Sequence, residues 1–372
     1  MKTIGLVTGG GDAPGLNAVI RAAVKTAVGE YGLRVVGVED SFEGLLGETR
    51  VRELMPADVR GLLPRGGTIL GTRNRGRFVV RDADGGHHRR PEDVYREAVA
   101  NLERLSIEAL VVIGGEGTLT IATEFDRLGF PVVGVPKTID NDLAATELTF
   151  GFMTALDIAT EALDRLHTTA ESHDRVMLLE VMGRHAGWIA LHSGVSGGAD
   201  VILIPEIPFS MAKVAEKVSE REKCDSQFSI IVVAEGAKEV EGSEVYQDMG
   251  DAQGSPRLGG MGHHIAHELG RLTGKEARCV VLGHLQRGGS PNAFDRMLAT
   301  NFGSAAVRAL QRGERGVMVS LQAANIRTVP IADAVANLKT VQPESQLVRT
   351  ARDVGVSFGA LNEDDYHKHE IC

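Results

Sequence analysis

Two carboxylates and a lysine stand close together at residues 136–142, directly after the apolar run 130–135, which we predict to be a buried strand. The carboxylates are those of Asp140 and Asp142, and the lysine is Lys137. Ligands bind at the edge of an α/β sheet where its strands give way to loops. Asp140 is therefore a candidate general base, and the Lys137 ammonium can offset the charge of a phosphate. The segment predicts chemistry on phosphorylated compounds.

Two glycine-rich turns follow other apolar runs. The run 4–7 leads into Gly9-Gly10-Gly11-Asp12, and the run 109–113 leads into Gly114-Gly115-Glu116-Gly117-Thr118. Glycine lets the backbone approach a phosphate, and the helix after each turn offers free N–H groups at its N-terminus. Either turn, taken alone, is equally compatible with an ordinary tight turn or helix cap. Two of them, on strands predicted to be neighbours, favour a phosphate site.

Arginines flank two further apolar runs. Arg175 and the sequence Met182-Gly183-Arg184 lie on either side of the run 176–180. Arg278 begins the run 278–282, which ends in the sequence GHLQRGGSP. Arginine suits bidentate recognition of phosphate. A single arginine is more often a solvated surface charge, so each of these is weak evidence by itself.

The elements that position these residues alternate between strands and helices. We predict strands at 4–7, 34–38, 109–113, 131–135, 176–180, 201–204, 229–233 and 278–282, and helices at 16–28, 91–105, 119–128, 153–167, 185–193, 211–223, 260–272 and 293–310. The strands are continuously apolar rather than alternating, which indicates sheets that are covered on both faces. The sequence therefore predicts an α/β fold with parallel, doubly wound sheets. A break between two series of strands falls near residue 150.

Composition limits the class of protein. With 372 residues the chain is too long for one small core, so we expect at least two domains. Its net charge of −10 disfavours nucleic acid as a partner. No apolar run approaches the ~20 residues that span a bilayer, and no signal peptide is visible, so we expect no membrane partner and a cytoplasmic location. The three cysteines are widely spaced without a CxxC, which argues against a disulfide framework.

Together these segments resemble the 6-phosphofructokinase family. The resemblance is carried by GGGDAPGLNAVIR, GGEGT, PKTIDND, MGR and GHLQRGGSP, in the family's order and at similar spacing over roughly residues 3–310. TIDND and HLQRGGSP are the specific sequences, because a GGDG-type loop also occurs in NAD kinases and lipid kinases. The PKTIDND form resembles the subgroup that includes both ATP- and pyrophosphate-using members. The resemblance implies two doubly wound domains with largely parallel sheets.

The resemblance also implies roles for domains and residues. Residues 1–150 with about 287–335 would bind the phosphoryl donor, and residues 151–286 with the C-terminal segment would bind fructose 6-phosphate. The residues that would hold the donor are Gly11, Arg73, Gly115, Glu116, Gly117 and Thr118. The residues that would line the reacting centre are Thr138, Asp140, Asp142 and Arg184, with Asp140 as the general base. The residues that would contact fructose 6-phosphate are Thr138, Asp140, Arg175, Met182, Gly183, Arg184, Glu235, Arg278, His284 and Arg287.

The implied cofactor is Mg²⁺, held at Glu116, where many family members carry Asp. Arg175 and Arg278 match arginines that in the family reach in from a neighbouring subunit. The resemblance therefore implies a homodimer or homotetramer.

Two residues give opposite indications about the donor. Gly117 is typical of ATP-using members, in which a small residue leaves room for the nucleotide, whereas Asp there goes with pyrophosphate. Lys137, directly before TIDND, is typical of pyrophosphate users. We expect ATP, because an added lysine charge assists any polyphosphate without excluding a nucleotide. Pyrophosphate is the alternative donor.

The expected reaction converts ATP and fructose 6-phosphate into ADP and fructose 1,6-bisphosphate, a step of glycolysis. A different class of function is a non-catalytic regulator that binds a nucleotide or a sugar phosphate. Asp140 argues against it, because binding alone gains nothing from a base that repels phosphates. A third hypothesis, an enzyme like NAD or lipid kinases, conflicts with TIDND and HLQRGGSP.

Overall fold

The computed structural model describes residues 1–73, 76–78, 80–81, 87–88, 92–224, 226–240, 242–248 and 257–362. Within these ranges the strands are β1 Thr3–Thr8, β2 Arg34–Val38, β3 Val51–Glu53, β4 Val80–Arg81, β5 His87–His88, β6 Ala109–Gly114, β7 Val132–Thr138, β8 Phe150–Gly151, β9 Val176–Val181, β10 Val201–Leu203, β11 Ser229–Ala234, β12 Tyr246–Asp248, β13 Arg257–Leu258, β14 Ala277–Val281, β15 Val317–Gln322 and β16 Asn325–Pro330. The α-helices are α1 Leu16–Tyr31, α2 Glu92–Arg104, α3 Glu116–Arg127, α4 Phe152–Glu171, α5 Trp188–Ser196, α6 Met211–Lys223, α7 Met261–Thr273, α8 Ala293–Gln311, α9 Ile331–Val335 and α10 Gln346–Asp353. Two 3₁₀ helices span Ser41–Leu45 and Gly283–Arg287.

The first main sheet has the strand order β16-β15-β7-β6-β1-β2-β3, and β8 pairs with β7 beside this path. The central strands are parallel, whereas β2 with β3 and β15 with β16 are antiparallel at the two edges. Helices α1 and α8 pack against one face through a buried apolar cluster that includes Leu6, Val111 and Phe302. Helices α2 and α3 cover the other face, where Val112 and Phe125 are buried. Because both faces are covered, the central strands are continuously apolar.

The second main sheet has the order β10-β11-β9-β14 and is parallel throughout. Helices α4 and α5 cover one face, and α6 and α7 cover the other. Strand β14 lies at an edge, and Arg278, Val280 and Val281 are exposed there. The antiparallel pairs β4–β5 and β12–β13 lie outside both main sheets.

The predicted α/β fold with doubly wound, largely parallel sheets is confirmed. Strand β7 is longer than predicted: it continues through Lys137 and Thr138, because these two residues pair with β8. Among the described residues no helix is long and apolar enough to cross a membrane. Cys279 is a free thiol, whereas Cys224 is disulfide-bonded, which the cysteine spacing did not indicate. The last residues of the chain, 363–372, which the domain prediction included, lie outside the described ranges.

Candidate active site

The carboxyl end of β7 holds the two predicted catalytic carboxylates in a buried position. Asp140 is 4% exposed and Asp142 is 7% exposed. The backbone N–H of Asp140 donates to Thr138 Oγ1 at 3.0 Å, and the Thr138 hydroxyl donates to Asp140 Oδ2 at 3.2 Å. Asp140 Oδ1 is buried and has no hydrogen-bond partner among the described residues. An unpaired carboxylate oxygen is costly to bury, and it is free to accept a proton from a bound hydroxyl.

Arg287 supplies a positive charge beside Asp140. Its Nη2 lies 4.0 Å from Asp140 Oδ2, and its Nη1 donates to the Asp12 carbonyl at 3.3 Å. A Cβ atom on Gly11 would stand 3.0 Å from Arg287 Nη1. The 3₁₀ helix Gly283–Arg287 therefore brings its last residue against the first glycine turn.

Lys137 provides a second cation at the same turn. It is 3% exposed, and its ammonium donates to the Gly11 carbonyl. Burial lowers the pKa of Lys137 to about 8, and repulsion from Arg287 adds to that effect, while Asp140 opposes it. The lysine thus loses its proton far more readily than a solvated one. A bound anion would favour its charged form.

Two acids of the predicted site, Asp142 and Glu235, have pKa values that are raised to about 7. Burial raises the pKa of Asp142 to about 7, the charge of Asp140 adds to this, and the positive charge of Arg184 opposes it. Burial likewise raises the pKa of Glu235 to about 7, against the hydrogen bond that its Oε1 accepts from the Arg184 N–H at 3.0 Å. Glu116 contributes a smaller repulsion to Asp142. Perturbed acids grouped in this way are typical of functional sites.

The turn after β9 positions Arg184. Gly183 has φ +143°, and a Cβ there would stand 2.6 Å from the Ala186 carbonyl oxygen. Arg184 itself has φ 53°, in the left-handed region that non-glycine residues seldom adopt. A Cβ on Gly236 would stand 2.1 Å from the Arg184 carbonyl oxygen. These close approaches explain why glycine stands at both positions around this arginine.

The two glycine turns lie against each other. A Cβ on Gly9 would stand 2.7 Å from Thr118 Cγ2, and one on Gly115 would stand 3.3 Å from the Lys137 carbonyl oxygen. A Cβ on Gly117, by contrast, would meet nothing within 4 Å. The first turn of α3 therefore has open space beside Gly117.

Arg73 follows Thr72, which contacts the first glycine turn. The Thr72 hydroxyl donates to the Gly10 carbonyl at 2.6 Å. The Arg73 guanidinium is 52% exposed and pairs with Asp40 at 3.1 Å.

Two of the predicted sugar-phosphate residues, Arg175 and Arg278, do not lie with the others within one chain. Arg175 and Arg278 lie toward the amino-terminal ends of β9 and β14, whereas Met182, Gly183 and Arg184 follow the carboxyl end of β9. Both arginines pair with the Glu276 carboxylate, at 2.8 and 2.6 Å. His284 is exposed on the 3₁₀ helix that carries Arg287.

Sequence reasoning missed Lys339. Its ammonium donates to Asn141 Oδ1 and to the Thr146 and Glu147 carbonyls, each at 3.0 Å, directly behind the predicted catalytic carboxylates. No motif surrounds this lysine in the sequence, and it lies beyond the stretch with the family resemblance. The signal that finds it is therefore its set of contacts in the fold.

Known proteins resemble this chain over nearly its whole length. The family model described as phosphofructokinase matches residues 3–310. The chain is 59% identical over 358 residues to "ATP-dependent 6-phosphofructokinase" of Chloroflexus aurantiacus, covering 96% of this chain and 98% of that protein. It is 53% identical over 358 residues to "Pyrophosphate--fructose 6-phosphate 1-phosphotransferase" of Streptomyces coelicolor, covering 96% of this chain and 99% of that protein.

A solved structure has a similar fold. The crystal structure of Pichia pastoris phosphofructokinase in the T-state superposes with a TM-score of 0.77 at 33% identity over 90% of this chain. This chain spans 35% of the length of the Pichia chain.

Proposed function

The chain belongs to the phosphofructokinase family, and we propose that it transfers the terminal phosphoryl group of ATP to the 1-hydroxyl of fructose 6-phosphate, giving ADP and fructose 1,6-bisphosphate. The observation that carries the proposal is Asp140. Its carboxylate is buried, Thr138 holds one of its oxygens, and the other has no partner. Arg287 lies 4.0 Å from it, and both glycine turns approach Lys137, three residues before it. A non-catalytic binding protein would gain nothing from such a group.

In this proposal each side chain has a role in one transfer step. Asp140 accepts the proton of the 1-hydroxyl as that oxygen attacks the γ-phosphorus, and the bond from γ-phosphorus to the β,γ-bridging oxygen breaks. Arg287 and Arg184 neutralise charge that develops on the transferring group. The glycine turns and the N-terminus of α3 hold the donor's phosphates. Glu235, bonded to the Arg184 N–H, fixes the turn that contacts the sugar phosphate.

The donor set fits a magnesium ion that is bound mainly through the donor. Among the described residues no group of three or more His, Cys, Asp or Glu side chains forms a metal cage. Mg²⁺ in kinase sites is commonly held by one or two carboxylates, with phosphates and waters completing its shell. Glu116, whose charge reaches Asp142, is the carboxylate that would hold it. Bound there, the ion would neutralise charge on the donor's phosphates.

The open space at Gly117 supports ATP as the donor, because the nucleoside side of the nucleotide needs room next to α3. Lys137 favours the second candidate, pyrophosphate: its ammonium is buried at the glycine turn, where a short polyphosphate would end. That charge would assist any polyphosphate, ATP included, so it does not exclude a nucleotide. We therefore keep ATP as the donor.

The position of Arg175 and Arg278 supports a homo-oligomer, either a dimer or a tetramer. Arg278 lies on β14, the edge strand of the second sheet, where Val280 and Val281 are each 39% exposed. Arg175, directly before β9, stands beside it through the Glu276 carboxylate that both arginines contact. An exposed apolar edge strand is a site for association. In an oligomer, these arginines would enter the sugar-phosphate site of a neighbouring copy.

The remaining parts of the proposal concern the domains and the location. Residues 1–150 with about 287–335 form the donor half, and residues 151–286 with the C-terminal segment form the fructose 6-phosphate half. The enzyme would work in the cytoplasm on small-molecule substrates, with neither nucleic acid nor a membrane as its partner.

The deciding experiment measures fructose 1,6-bisphosphate formed from fructose 6-phosphate and Mg²⁺, with ATP and pyrophosphate in parallel. Product with ATP alone is expected. Product with pyrophosphate alone would show that pyrophosphate is the donor, and Lys137 would then be the residue that determines donor choice. No product with either donor, from protein shown to be folded, would refute the catalytic function and favour the regulator.

A further inference from the structure

The segment between α9 and α10 closes over the back of the loop that carries the catalytic carboxylates. Leu338 forms an antiparallel bridge with Leu143, and the Lys339 N–H donates to the Asp142 carbonyl at 2.8 Å. The Ala144 N–H donates to the Ala334 carbonyl at 3.2 Å. This segment is distant in sequence from the loop and contains none of the motifs that point to the site.

Lys339 binds the loop through its side chain. Its three ammonium donors each have an acceptor at 3.0 Å: Asn141 Oδ1, the Thr146 carbonyl and the Glu147 carbonyl. Its own carbonyl accepts from Trp188 Nε1 at 2.8 Å, and its ammonium lies 5.7 Å from the Trp188 ring centroid. A tetrahedral ammonium can satisfy three converging acceptors, whereas a planar guanidinium presents its donors in a rigid fork.

Asn141, which Lys339 binds, stands between the two aspartates. It is 3% exposed and has φ 52°, a left-handed conformation that asparagine adopts more readily than most residues. Its Oδ1 also accepts from the Thr149 N–H at 3.1 Å, and the Thr149 hydroxyl donates to the Thr138 carbonyl at 2.7 Å. Lys339 therefore acts on the backbone turn that sets the direction of both carboxylates.

The same segment connects this loop with the turn that carries Arg184. The Val341 N–H donates to Glu206 Oε1 at 2.8 Å, and the Gly187 N–H donates to the same oxygen at 2.9 Å. Gly187 lies three residues after Arg184. Residues 339–341 thus contact both Asn141, beside the proposed base, and Glu206, which holds the segment after Arg184.

We propose that Lys339 is a positioning residue for phosphoryl transfer: through Asn141 it fixes the turn that aims Asp140 at the acceptor hydroxyl. The proposal rests on the function proposed above. A misplacement of about 1 Å at a reacting group costs ~10²-fold in rate. Loss of Lys339 should therefore reduce kcat while the phosphate-binding groups, which lie on other elements, keep both KM values.

The test compares Lys339→Met with Lys339→Arg and with the control Lys217→Met. Lys217 is a lysine of α6 with 16% of its side chain exposed, and its ion pair with Glu220 lies away from the site. For each protein kcat, KM for fructose 6-phosphate, KM for ATP and the melting temperature are measured. Lys339→Met should lower kcat at least tenfold with both KM values within threefold of wild type. Lys339→Arg, which keeps the charge but not the geometry, should also lower kcat, and Lys217→Met should change none of the three kinetic constants.

If the wild-type protein is active, three results would refute a positioning role for Lys339. One is a folded Lys339→Met with kcat within twofold of wild type. Another is an increase of either KM that accounts for the whole loss of activity. The third is failure of both Lys339 variants to fold, which would make the lysine a residue of general stability; if only Lys339→Met fails, the kcat of Lys339→Arg decides. Inactive wild-type protein would instead refute the proposed function itself.

Discussion

Substitution of Asp140 by Asn removes the proposed base and changes little else in its surroundings. Asparagine has the same shape, so its Oδ1 can still accept from the Thr138 hydroxyl, which lies 3.2 Å from the present Oδ2. Its amide group would take the place of the unpaired Oδ1. The fold should therefore survive, with a cost of about 1–3 kcal/mol if that buried amide finds no acceptor.

The expected loss lies in turnover. A positioned general base is worth ~10²–10⁴ in rate, which corresponds to about 3–5 kcal/mol in the activation barrier. Because Arg287 and the glycine turns remain, KM for fructose 6-phosphate and for ATP should stay within about threefold. Removing the charge of Asp140 should also lower the pKa of Asp142, which that charge raises.

The assay is steady-state formation of fructose 1,6-bisphosphate together with a thermal melt. Asp295→Asn is the matched control, since Asp295 is fully buried, accepts from the Thr154 hydroxyl at 2.6 Å and has an unpaired Oδ1 of its own. The control should lower the melting temperature and leave kcat unchanged. Turnover of Asp140→Asn within tenfold of wild type would refute the base assignment. An increase confined to KM for the sugar phosphate would make Asp140 a binding group instead.

Three further predictions concern the donor, the subunit edge and pH. Gly117→Asp fits the open space beside α3, and should lower kcat/KM for ATP at least tenfold relative to pyrophosphate; an unchanged ratio would show that this position does not select the donor. Arg278→Ala should raise KM for fructose 6-phosphate at least tenfold with KM for ATP unchanged, and a shift in the ATP constant alone would contradict its assignment. Lys137 has its pKa lowered to about 8 from 10.5, so KM for the donor should rise above pH 8 in wild type and not in Lys137→Met. The folded lysine loses its proton near pH 8, whereas the unfolded one keeps it up to about pH 10.5. The free energy of unfolding of wild type relative to Lys137→Met should therefore rise as the pH increases from 8 to 10.5, which denaturant titrations of the two proteins at several pH values would measure.

Apolar pattern was sufficient for the elements that form the layers. The strand Arg34–Val38 and the helix Met211–Lys223 have the predicted limits at both ends. Their composition is unambiguous, because three of the five strand residues are valine and the helix shows regular apolar spacing that ends in charged residues. The antiparallel edge strands β3 and β16 were not predicted, since they are short or only partly buried and carry polar residues.

The end of β7 shows why the site was harder to predict than the fold. Residues 136–142 were expected to follow the strand as a loop, yet Lys137 and Thr138 are strand residues paired with Phe150 and Gly151. That pairing joins residues more than ten positions apart, and nothing local in the sequence signals it. Asp140 itself was selected from local features, its place after a predicted strand beside a second carboxylate and the match to TIDND. Its hydrogen bonds with Thr138 are local as well.

The charged groups on the separate segments of the site influence one another's protonation. Burial pushes Lys137 toward its neutral form and pushes Asp142 and Glu235 toward theirs. An incoming phosphate would reverse the first effect, because its charge favours the ammonium. The same phosphate would make the carboxylates still harder to ionise, and Asp140 must be ionised to act as a base. In the proposed function a magnesium ion that arrives with the donor would offset part of this negative charge, together with Arg184 and Arg287.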